Sequence, residues 1–123
     1  MVFTNQELSA ILCMANVVAS ADGNTSEIEV KLMAGEIIRF GVSEEKSQII
    51  LRDAFNLSPA EACAIISKMT SEEKRYVTAY LGTMICADGK IEESELKVWV
   101  LISKICNLPT MTLKDAVEIM SNL

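Results

Sequence analysis

One phrase occurs twice in this sequence, 66 residues apart, and the repetition limits the fold more than any other feature. Ala21-Asp22-Gly23 leads to Glu29 and Lys31, and Ala87-Asp88-Gly89 leads to Glu95 and Lys97. Residues 3–42 and 69–108 align without a gap, with Thr4/Thr70 and Glu7/Glu73 identical as well. In each copy one apolar helical pattern precedes the phrase and another follows it. Leu8, Ile11, Leu12, Ala15, Val18 and Ala19 keep the i, i+3, i+4, i+7 spacing of a single helix face. Such a unit is a helical hairpin. Two copies are too few for a solenoid. They predict two hairpins related by a pseudo-two-fold axis, with residues 43–68 as a two-helix connector.

Local signals place the remaining helices. Thr4 and Glu7 form a capping-box pattern, in which the Thr side chain and the Glu side chain each satisfy a free backbone amide. Residues 26–40 carry a second apolar stripe through Val30, Met33, Ala34, Ile37 and Phe40, and Gly41 is placed to end it in the left-handed region. Ser43 can cap a third helix through Ile49, Ile50, Ala54 and Phe55. Ser58-Pro59-Ala60-Glu61 opens a short fourth, ending near Lys68. Thr70 and Glu73 open a fifth, carrying Val77, Tyr80, Leu81, Met84 and Ile85. A sixth spans about residues 92–106, with Leu96, Trp99, Val100 and Ile102 inside and Pro109 beyond its end. Thr112 with Asp115 starts a last helix over residues 112–122. No stretch alternates with period two. The chain is therefore expected to be one all-α domain, residues 1–123, of about seven helices.

Composition narrows the function. Half the residues are hydrophobic and only 5% aromatic, which predicts an aliphatic core. Trp99 is expected to anchor that core opposite its repeat counterpart Met33, and one of Tyr76 and Tyr80 to reach solvent. The seven methionines fit core filling better than a binding surface. There is no histidine, and none of Cys13, Cys63, Cys86 and Cys106 lies in a CxxC pair, so a finger-type zinc site is excluded. The cysteines read as small buried hydrophobes in a reducing compartment. Acid–base and nucleophilic catalysis lack their usual partners, and no phosphate-binding loop is present, so no enzymatic activity is expected. The net charge of −6, with no basic cluster, argues against nucleic acid and anionic membranes. No apolar run approaches the ~20 residues of a membrane span. The start lacks the basic pattern of a signal peptide, and a cytoplasmic location is expected.

The repeated phrase carries the candidate chemistry. Its DG-x5-E spacing matches the back half of an EF-hand loop, where glycine takes position 6 and a bidentate glutamate position 12. The front half fails, because Val18 and Ser20, or Met84 and Cys86, then occupy positions 1 and 3. What survives is an aspartate, a loop carbonyl and a glutamate on the next helix's first turn. Asp22 with Glu29 and Asp88 with Glu95 are thus candidate ligands for a hard divalent cation such as Ca²⁺, Mg²⁺ or Mn²⁺. Asn24, Ser26 and Glu92 are lesser candidates. Turn and cap chemistry is the competing account. Asp-Gly is a favoured turn pair, and Ser26 with Glu29 is a capping box. That account covers the first copy fully and the second less well, since Glu92 replaces the capping serine while Asp88 and Glu95 remain.

A helical chain with two ADG-x5-E phrases, each between a long helix and an amphipathic partner, resembles the TerB-like family. That family includes the tellurite-resistance TerB proteins and is similar to the N-terminal domain of the co-chaperone DjlA. The resemblance covers residues 3–108. It implies an all-α fold of about seven helices, a role in stress or tellurite response with a protein partner, and cation-binding acids at Asp22, Glu29, Asp88 and Glu95. Ala87-Asp88-Gly89-Lys90-Ile91-Glu92-Glu93-Ser94-Glu95 fits the family phrase more fully. In the first copy Asn24-Thr25-Ser26 stands in place of Lys90-Ile91-Glu92, with fewer acids. With no histidine, the His-Pro-Asp of a J-domain is absent from this sequence. The sequence leaves open a metal-free interaction module whose acids serve only as caps and turns. It does not define the partner or the oligomeric state.

Overall fold

Every described helix but one starts at a serine or threonine whose hydroxyl accepts a backbone amide three residues on. The computed structural model describes residues 2–21, 23, 35, 39–87 and 89–123. Among these, six helices and no strand are present: α1 (Asn5–Ala19), α2 (Glu44–Asn56), α3 (Pro59–Ser67), α4 (Ser71–Cys86), α5 (Glu93–Ile105) and α6 (Leu113–Ser121). The all-α reading holds. The helix predicted over residues 26–40 lies outside the described residues, apart from helical backbone at Gly35 and Arg39. Gly41 does take the left-handed φ of +68° expected after that helix.

Four of the six helices carry a complete capping box: Thr4/Glu7, Ser58/Glu61, Thr70/Glu73 and Thr112/Asp115. Ser43 caps α2 by accepting from the Lys46 amide at 3.3 Å. The helix α5 ends earlier than its proline requires. Asn107 takes φ +56° and the Leu108 amide donates to the Ser103 carbonyl at 2.8 Å, which is the long bond of a Schellman turn. The stop is therefore Asn107, two positions before Pro109.

The core is built around α1 and α4. From Leu8 to Ala15 every residue of α1 is buried, Ser9 included. On α4 the run Tyr76 to Gly82 is buried without interruption, followed by Met84 and Ile85. A helix buried over so wide a face must be covered from several directions. Accordingly α1 packs against α2, α3, α4 and α5, while α4 packs most extensively against α6 and also meets α5. Polar latches set the spacing on α1: Ser9 Oγ donates to the Ile50 carbonyl at 3.1 Å, and Cys13 Sγ to the Leu57 carbonyl at 3.6 Å.

Several side chains sit elsewhere than the sequence predicts. On α2 the buried stripe runs through Ile50 and Ala54, with Leu57 half-buried beyond it, so Ile49 and Phe55 fall about 100° to either side and are exposed. On α5 the stripe is Glu95, Trp99 and Ile102, and Val100 lies off it in solvent. Tyr76 and Tyr80 are both buried; neither reaches solvent. Nor is the core purely aliphatic. Phe3, Phe40 and Tyr76 meet with ring centroids 5.2–5.8 Å apart, and Tyr76 stacks on Tyr80 at 6.4 Å. This small aromatic cluster ties the start of the chain to α4. Cys86 is half-buried, unlike the other cysteines.

Candidate functional site

The two copies of the repeated phrase begin with the same backbone path. At the end of α1 the Ala21 amide donates to the Val18 carbonyl at 3.2 Å, and the Gly23 amide to the Ser20 carbonyl at 2.9 Å. At the end of α4 the Ala87 amide donates to Met84 at 3.3 Å, and the Gly89 amide to Cys86 at 3.1 Å. Gly23 and Gly89 take φ of +88° and +77°. Glycine is required at both points because an L side chain is strained there, and the turn throws the chain out of the long helix. Val18 and Met84, which an EF-hand would need as ligands, are buried helical residues.

Beyond the glycines the description covers the second copy only. Asp22, Asn24, Ser26 and Glu29 lie outside the described residues, and so does Asp88. Glu95 and Glu92 are described. Glu95 occupies the third position of α5 and is only 4% exposed, the one buried carboxylate among the described residues. Glu92, the residue before the helix, has extended backbone and makes no side-chain cap hydrogen bond. Both Glu92 and Glu93 are exposed, and Glu93 pairs with Lys97 at 3.4 Å along the helix surface. That pair accounts for the lysine of the repeated phrase without any ligand.

The contrast with the other helices is informative. Glu7, Glu61, Glu73 and Asp115 occupy the same third position and close capping boxes at the surface. Glu95 stands at that position without a capping serine or threonine, and it is buried. A buried carboxylate must be matched by donors or by a cation, since desolvating the charge is otherwise costly. A hard-cation site draws on this kind of oxygen donor, held at the start of a helix whose dipole also favours negative charge. Among the described residues no three His, Cys, Asp or Glu side chains gather as a metal cluster.

One meeting of side chains has no signal in the sequence. Cys106, at the end of α5, donates from its Sγ to the Sγ of Cys63 on α3 at 2.6 Å. Burial, and then the bond to Cys63, push the Cys106 thiol well above its ordinary range, with a smaller opposing pull from Lys74. Cys13 is raised as well, first by burial, then by Cys63 and Glu61. Standing 43 positions apart and with no CxxC, Cys63 and Cys106 are brought together by packing alone.

These features define a class: an all-helical domain, among the described residues, with two glycine turns at Gly23 and Gly89, each closing a buried central helix. A protein of unknown function from Porphyromonas gingivalis W83, PG1108, has the same fold in its crystal structure. It superposes with a TM-score of 0.86 at 40% sequence identity, over 100% of this chain and 99% of that one. The chain belongs to the same family as that protein. No family model matches the chain, and no curated protein matches it. Among the described residues no helix is long and apolar enough to cross a membrane.

Proposed function

We propose that this chain is a non-enzymatic TerB-like domain. It binds a divalent cation such as Ca²⁺, Mg²⁺ or Mn²⁺ at its second Asp-Gly turn and docks a protein partner in stress or tellurite response. The observation that carries the reading is the burial of Glu95 on the first turn of α5, beside the Gly89 turn and without a capping serine. Glu95 is the anchoring ligand, with Asp88 from the turn and Glu92 nearby. Asp22 and Glu29 form the weaker first site. Exposed Leu101 and Ile105, one turn apart on α5, offer apolar surface to a partner.

Titration calorimetry with each cation tests the reading. Heat at sub-millimolar Ca²⁺, Mg²⁺ or Mn²⁺, abolished by Asp88→Asn with Glu95→Gln, is expected. No heat above background at millimolar metal would sink it. A cation at 100 times its dissociation constant also stabilises the fold by ~2.7 kcal/mol, which melting curves resolve.

The second reading is a metal-free helical interaction module. It is favoured by the four capping boxes, in which the acid at the third helical position of four described helices serves as a cap. It predicts that Glu95→Gln lowers stability equally with and without chelator. Partner capture that depends on the chelator would count against it.

A further inference from the structure

Cys63 and Cys106 both carry free thiols, and their sulfurs stand 2.6 Å apart. A disulfide bond measures about 2.05 Å, and the two sulfurs are already in direct contact. We infer that this pair is a redox modification site, in which peroxide closes a reversible disulfide that pins α3 to the end of α5. The inference stands apart from cation binding and survives if no metal binds.

The chemistry balances with hydrogen peroxide as oxidant. Cys63 is 9% exposed and Cys106 fully buried, so Cys63 meets the peroxide first. A lone pair on the Cys63 thiolate forms an S–O bond, the O–O bond breaks, and the departing hydroxide takes up a proton as water. The Cys106 sulfur then attacks the Cys63 sulfur. The S–S bond forms, the S–O bond breaks, and the second hydroxide leaves with the Cys106 proton, which already points at that sulfur in the thiol pair. Two thiols give up two electrons and two protons, and one peroxide becomes two waters. A dithiol reductant reverses the change by exchange. Burial keeps the Cys106 thiol protonated, so Cys106 carries the proton that leaves with the second hydroxide.

The other two cysteines are internal controls. Cys13 is committed to the Leu57 carbonyl, and Cys86 lies half-buried at the end of α4. The proposed ring encloses α4 and α5, a long loop whose closure restricts the unfolded chain strongly.

The test treats the full folded chain with hydrogen peroxide, unfolds it, alkylates remaining thiols and maps peptides without reduction. The expected product is one peptide pair joined through Cys63 and Cys106, lighter by two hydrogens and released by dithiothreitol. The cross-linked chain should melt about 10 °C higher. Recovery of Cys63 and Cys106 as alkylated thiols, under peroxide that oxidises Cys86, would overturn the inference. So would a Cys63–Cys13 link, an unchanged melting temperature, or the same mixture of pairings that the urea-unfolded chain yields. Wild-type protein suffices for every one of these readings. Cys63→Ser and Cys106→Ser, each expected to lose the linked peptide, serve as confirmation.

Discussion

The indole N–H of Trp99 on α5 donates to the backbone carbonyl of Thr78 on α4, 3.1 Å away. The bond fixes the ring against Gly82, where an added Cβ would meet Trp99 Cζ2 at 2.8 Å and the Ala116 Cβ at 2.9 Å. At Gly82, then, side chains of both α5 and α6 press directly on α4. In an open helix Gly→Ala would stabilise by about 1 kcal/mol. Here the crowding by a ring and a second helix wins, and Gly82→Ala is expected to cost ~1–3 kcal/mol in denaturant unfolding. A stabilised variant would show that α6 yields easily.

Tyr76 buries its hydroxyl with no hydrogen-bond partner among the described residues. An unmatched buried hydroxyl costs roughly 1–3 kcal/mol. Tyr76→Phe keeps the ring contacts with Phe3, Phe40 and Tyr80 and removes the penalty. The variant should therefore be as stable as the parent or more so, by up to ~1 kcal/mol in thermal melts. A loss above that figure would reveal a hidden partner for the hydroxyl.

Glu92 precedes α5 with extended backbone and no side-chain cap. Glu92→Ser supplies the missing hydroxyl at the position Ser26 holds in the first copy, and should add ~1 kcal/mol to stability in chelator. If Glu92 also lends an oxygen to a cation, the same change weakens the calorimetric response to metal. Stability falling in chelator would show that Glu92 has a structural role the cap cannot replace.

Burial raises the Cys106 thiol, and less strongly those of Cys13 and Cys86, above the ordinary value near 9. The folded chain therefore holds these protons to higher pH than the unfolded chain does. Stability from this source is complete below about pH 9 and is lost as pH rises beyond it. Melting temperature should fall from pH 9 upward in the reduced protein, and Cys106→Ala should flatten that slope. Equal slopes for the two proteins would place the alkaline loss on other groups.

Much of the fold was legible in the sequence because its signals are local. The boxes at Thr4, Ser58, Thr70 and Thr112 need only a residue and its third neighbour, and each formed as predicted. Gly23, Gly41 and Gly89 took positive φ for the same local reason. Which face each helix buries was less legible. Ile49, Phe55 and Val100 read as core because they are apolar, yet burial depends on where a neighbouring helix lies. The role of Asn107 was missed because the nearby proline gave a louder stop signal than a left-handed asparagine.

Sequence alone determined that the described residues are all-helical, and where their helices start and their glycine turns fall. Those properties depend on caps, turns and periodicity within a few residues. Tertiary structure alone decided that Glu95 is buried while Glu92 and Glu93 beside it stay exposed. It also decided that Cys63 and Cys106 meet across 43 residues, and that Gly82 is crowded by Trp99 and Ala116. The reason is physical. A local pattern specifies a helix and its apolar stripe, but burial, desolvation and contact arise only when several helices share one interior.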